Sequence, residues 1–192
     1  SNQGPRNFVI GDGSAAVDLD IIASISNTGM LIKSGAGTMR LSGGMASQNV
    51  NTGQVLVNAG TIALNKSGVF GTTGGMALGA GALTIGATTG VVPATVRLDQ
   101  DEQINNASAI TINAGGQLNL QGFSETVGNV TLNSEGGVGG SIIGTGGTLY
   151  IGSISMTGGS IGLSTGRLIL GNTVTATSNS NSAAAELLLE VA

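Results

Sequence analysis

The chain has 192 residues and a formal net charge of −4, with no Cys and no His. Gly contributes 35 residues, aromatics 2% and charged residues 8%, against about 25% charged in ordinary soluble domains, while hydrophobic residues still reach 40%. These values exclude disulfides, thiolate metal sites and Ser-His or Cys-His dyads, leave no basic stripe or stacking aromatics for nucleic acid, and rule out a polar disordered tail.

Short alternating segments then follow one another along the chain. The stretch "GMLIKSGAGTMRLSG", Gly29 to Gly43, holds the first pair. In it Gly35, Gly37 and Gly43 supply tight turns, and Ile32, Met39 and Leu41 are expected to point inward or to pair along a stack. Next come "TIALN" from Thr61, "ALTIG" from Ala82, "TVRLD" from Thr95 and "AITIN" from Ala109. "QLNLQG" from Gln117, "NVTLN" from Asn129, "TLYIG" from Thr148 and "RLILG" from Arg167 continue the series. Each has the two-residue period of a strand, and Gly, Asn or Ser closes nearly every one. The last stretch, "AAAELLLEVA" from Ala183, has helical propensity but reads as strand, because Leu187 and Leu189 continue the spacing of the preceding leucines. No apolar run approaches the ~20 residues of a membrane helix, so no membrane insertion is expected.

The spacing names the architecture. Met39 to Ile62 is 23 residues, Ile62 to Leu83 is 21, Val96 to Leu118 is 22, and Leu149, Leu168 and Leu187 are each 19 apart. A repeat of roughly 20 residues without helix signals predicts an all-β chain, a right-handed parallel β-helix in which no coil buries its apolar face alone. About nine coils are expected, in one continuous domain over residues 1–192.

The stretch "LIKSGAGTMRLSGGMASQNVNTGQVLVNAGTIAL", Leu31 to Leu64, resembles the autotransporter-associated β-strand repeat, with Lys33, Gly35, Gly37, Leu41, Gly43, Thr52, Gly53, Val57, Ala59 and Gly60 on its pattern. Asn49, Val50 and Asn51 stand where that repeat has Thr-Tyr before its Thr-Gly. "NFVIGDGSAAVDLDI" and "GGQLNLQGFSETVGNVTL" resemble the longer repeats of the same proteins. The resemblance implies the passenger region of a secreted or surface-exposed bacterial protein, such as an adhesin. It implies a further expectation: joined through Ala192 and Ser1, "AELLLEVASNQGPRNFVIGDGSAAVDL" reads as uninterrupted family sequence, so the chain looks like one period of a longer rod.

The expected function is therefore structural: an extracellular filament or surface fibre of a bacterium, its partner being itself, head to tail, as a homopolymer or as tandem repeats in one chain. The residues assigned to that contact are Phe8, Val9 and Ile10 at one end and Leu187, Leu188, Leu189 and Val191 at the other. A charge at Leu188 is expected to weaken it. A second reading is an adhesin stalk or glycan-binding module touching a glycan or cell surface. A third, a polysaccharide-acting enzyme, needs a carboxylate cluster beside Arg or Lys in a cleft; no enzyme, cofactor or metal site is expected.

Asp12, Asp18 and Asp20, and Asp99, Asp101 and Glu102, form two acidic clusters that suit calcium or sugar chemistry, or simply turns and solvated corners, which is the favoured reading. Arg6, Lys33, Arg40, Lys66, Arg97 and Arg167, the only cations, suit an acidic glycan or cross-coil pairing, but read best as isolated surface charges. "GAGTMR" and "GVGGSIIGTGG" lack the Lys-Ser/Thr and helix of a phosphate loop. "TVTAT", Thr173 to Thr177, is one threonine run, read as a solvent-facing strand. Asn105, Asn106, Asn113, Asn119 and Asn133 are expected to form amide ladders between coils.

Overall fold

The computed structural model describes residues 4–26, 28–67 and 75–177, and the backbone of 185–188. The chain is a parallel β-solenoid of about seven turns. The first sheet takes Arg6–Val9, Leu31–Ser34, Val55–Val57, Leu83–Ile85, Ile110–Ile112, Glu125–Leu132 and Thr148–Met156, and ends with Arg167–Leu170 and Val174–Ala176 on two halves of that last long strand. The second sheet runs Leu19–Ile21, Thr38–Gly43, Gly60–Lys66, Ala94–Leu98, Gly116–Asn119, Ser141–Ile143, Gly159–Gly162 and Ala185–Leu188. Each coil visits both sheets. A third side closes the section, built from the Leu78–Ile104 bridge and from Val127, Ile151 and Leu170 in register.

Alternation turns one row of each strand inward and one outward. In the first sheet Leu31, Val55, Leu83, Ile110, Val130 and Ile154 stack as one inner column. In the second, Met39, Ile62, Val96, Leu118, Ile142 and Ile161 form another. These side chains are buried and belong to a single core. Each contributes about 1.5–3 kcal/mol by leaving water, and only through the coil above and below it.

The coil number differs from the nine expected. Met39–Ile62, Val96–Leu118 and Leu149–Leu168 are true coil-to-coil neighbours. Ile62 and Leu83 are not: Ile62 stacks on Val96 in one sheet and Leu83 on Val55 in the other. Likewise Leu187 lies opposite Ile161, not Leu168. Each coil contributes similar short strands to two different sheets, so a one-dimensional spacing counts some strands as whole coils. The Ala185–Leu188 segment is strand, as expected, although the leucine spacing behind that expectation does not join stacked neighbours.

Glycines enter where coils touch. Gly35 has φ +77 and Gly43 φ +113, left-handed conformations that an L side chain resists. A Cβ at Gly37 would collide with the Gly11 carbonyl oxygen of the neighbouring coil.

Candidate assembly interface

At both ends of the described solenoid, partly buried apolar side chains pack on the core. At one end Arg6–Val9 pairs only with Leu31–Ser34, and Leu19–Ile21 only with Thr38–Gly43, among the described residues. Phe8 and Ile10 are half-buried and pack on the core, while Val9 is 70% exposed on the outer row. Leu19, Ile21 and Ile25 pack on the same core and complete this end. They were not assigned to the contact, although "VDLDI" carries the alternation that marks them.

At the other end the edge strands among the described residues are Arg167–Leu170, Val174–Ala176 and Ala185–Leu188. Leu168 and Leu170 pack on the core and also went unassigned. The backbone register sets Leu187 opposite buried Ile161 and Leu188 opposite Gly162. Leu189 and Val191 lie outside the described residues.

Lys33 and Lys66 overturn the reading of the cations as surface charges: both are fully buried. Lys33 occupies an inner column between Phe8 and Val57, and Ile32, which pairs along the stack with Leu56, takes the outer row instead. The lysine stem fills the column, and Nζ donates to the carbonyls of Ser34 (3.2 Å), Gly35 (2.7 Å) and Ala59 (2.9 Å). Lys66 Nζ donates to Ser42 (2.7 Å), Ile22 (3.4 Å) and Ala23 (3.4 Å). Strand hydrogen bonding stops at a corner, so its carbonyls need another donor, and one ammonium supplies three. Burial pushes both amines below the usual lysine range; Asp18 offsets this for Lys33 and Asp20 for Lys66.

The acidic clusters separate. Asp18 accepts from the backbone N–H of Thr38 (2.8 Å) and Gly13 (2.9 Å), which hold its carboxyl below the usual range. Asp20 pairs with Arg40 on the next coil (2.6 Å) and accepts from the Ser42 hydroxyl (2.7 Å), and Arg40 lowers it most. Asp99, just past the Ala94–Leu98 strand, pairs with Arg97 of that strand (2.7 Å). Asp101 accepts from the Ser124 N–H (2.7 Å). No group of three or more acidic side chains able to hold a metal occurs among the described residues.

Glu102 departs from the solvated-corner reading, since it is fully buried, and so is Glu125. Glu125 Oε2 accepts from the backbone N–H of Gln103 (2.8 Å) and Ile104 (3.2 Å), and the Thr126 hydroxyl donates to Glu102 Oε1 (2.8 Å). Burial pushes the Glu125 carboxyl well above the usual range, and the nearby Glu102 adds to it. Beside them the Gln103 amide accepts from the Lys66 N–H (2.7 Å) and donates to the Lys66 carbonyl (2.9 Å), standing in for a neighbouring strand.

Amides do bridge coils. Asn133 Nδ2 donates to Asn113 Oδ1 (2.9 Å) and Asn113 Nδ2 to the Gly86 carbonyl (3.2 Å). Asn105 and Asn119 instead brace their own turns through the N–H of Ala107 and Gln121. Buried Asn49 spans three coils, accepting from the Ile25 N–H (2.7 Å) and donating to the Ala77 carbonyl (2.5 Å). It stands where the chain departs from the repeat pattern, the one signal that could have marked it.

The outer rows are hydroxyl-rich. Thr84, Thr111, Thr131, Ser155 and Thr175 lie in register on the first sheet, so "TVTAT" ends a row rather than standing alone. Thr38, Thr61, Thr95, Gln117, Ser141 and Ser160 do so on the second. No helix among the described residues is long and apolar enough to cross a membrane. Comparison with family models, curated proteins and solved structures finds no match.

Proposed function

We propose that this chain is a structural protein of a bacterial extracellular filament or surface fibre, whose copies continue the solenoid end to end. The carrying observation is that, among the described residues, the aliphatic columns run to both ends of the solenoid and meet edge strands there. Phe8, Leu19 and Ile21 stand half-buried at one end, and Leu168 and Leu170 at the other. Strands of a second copy would supply the missing hydrogen bonds and the next core layer, and a contact between unlike ends does not close. The resemblance to passenger repeats is consistent with this reading and with a surface location.

Light scattering on the native protein, beside mass spectrometry of the denatured chain, tests it. Large native particles that denature to 18.6 kDa indicate stacked subunits. A denatured mass many times larger indicates tandem repeats in one chain. A native monomer of 18.6 kDa that no concentration drives to assemble overturns the proposal. Leu187→Lys, opposite buried Ile161 in the register, is expected to weaken stacking by placing an unpaired cation against the core, and Leu188→Lys, opposite Gly162, to weaken it less.

A second reading, a glycan-binding stalk, draws on the in-register hydroxyl rows. It requires saturable binding on a glycan array that is lost when Thr111 and Thr131 are replaced by Val.

A further inference from the structure

The corner formed by residues 101–104 and the start of Glu125–Leu132 buries two carboxyl groups side by side in the fold. Glu102 and Gln103 are consecutive, and the Gln103 N–H reaches Glu125 while the Glu102 side chain reaches Thr126, so each carboxyl is held by the other's coil. Glu102 sits at φ +49, a conformation that a non-glycine residue keeps only when its surroundings hold it there.

Glu125 Oε1 is buried with no hydrogen-bond partner. An ionised carboxylate there would rely on the backbone N–H groups of Gln103, Ile104 and Thr126 alone against the cost of burial. The surrounding charges do not supply a counter-ion to Glu125. Lys66 contacts this corner only through its backbone, its ammonium being committed to the carbonyls of Ile22, Ala23 and Ser42. Arg97, on Ala94–Leu98, is committed to Asp99 just past that strand. Asp101, which accepts from Ser124, adds negative charge, and Tyr150 on the next coil is 38% exposed.

We propose that Glu125 is carried as the neutral acid, with its proton on Oε1, and that this proton lets Oε2 hold the N–H groups of Gln103 and Ile104 against the following coil without a buried charge. Its loss leaves a second negative charge beside Glu102 and releases the corner. The upward displacement of Glu125 by burial agrees with this. A group whose folded-state affinity for its proton exceeds the unfolded one stabilises fully below its unfolded pKa, and the gain is lost as pH rises through the folded pKa. The rod is thus loosened at one corner by alkali, independently of whether it forms filaments.

The test is the infrared spectrum and the unfolding midpoint of the full chain across neutral to alkaline pH, for the native sequence and for Glu125→Gln. The expected result is a buried carboxylic-acid band at neutral pH that Glu125→Gln lacks. The native midpoint should fall by roughly 3–5 °C per pH unit as pH rises towards the titration and level off beyond it, a slope absent from the variant. Amide exchange at Gln103 and Ile104, corrected for its intrinsic pH dependence, should accelerate over the same range. If Glu125→Gln does not fold, the native band and the exchange at these two amides decide. Absence of the band at neutral pH overturns the proposal. So do parallel midpoint curves for native and variant. A midpoint that drops on chelation, with no acid band, means a cation occupies the corner and also overturns it.

Discussion

The first coils and the middle of the rod solve one problem in opposite ways. Near the N-terminal end, corner carbonyls turn inward and are satisfied by the buried ammonium groups of Lys33 and Lys66. In the middle, at residues 101–104, backbone N–H groups turn inward and are satisfied by Glu125. Along the straight runs the two regions are the same, aliphatic side chains in register. A β-solenoid can therefore be generic along its faces and specific at its corners, where the strand ladder stops and each polar group needs its own partner.

The largest effect expected is on the generic part. Leu118→Ala, in an inner column of the middle coils, should cost about 2–5 kcal/mol in denaturant unfolding, because neighbours in a stacked core cannot collapse into the space. A cost below about 1 kcal/mol would mean that these coils do not unfold as one unit with the rest.

Lys66→Ala should cost about 3 kcal/mol, since it strands three carbonyl oxygens and leaves a void, whereas Lys66→Met should recover the packing part alone. Equal costs for the two variants would show that the amine does nothing and would erase the distinction between corners and faces.

The pH limbs sharpen the comparison next. Asp18 and Asp20 are held below the usual carboxylate range, so their contribution is present above the unfolded value of about 3.9 and is lost as pH falls through the folded values. Glu125 is displaced upward and gives the opposite limb. Stability should peak between them, with Asp18→Asn flattening only the acid side. An unchanged acid limb in Asp18→Asn would remove the assigned role of its two backbone contacts.

The smallest effect belongs to Arg40→Ala. The exposed pair with Asp20 should shift the midpoint little, and less still in high salt. A large, salt-insensitive loss would show that the cross-coil ion pair is a true fastening.

Sequence by itself determined the class. Alternation, turn residues and a period near 20 sufficed for a parallel solenoid with Met39 on Ile62 and Val96 on Leu118, because side-chain direction in a strand is set locally. Only the tertiary structure decided which strands share a sheet, and so the number of coils. It also turned Lys33 inward and Ile32 outward, since a one-residue choice of face depends on corner carbonyls that belong partly to the neighbouring coil. For the same reason Glu102 and Glu125, 23 residues apart in sequence, read as separate charges until the stacking closed water away from both.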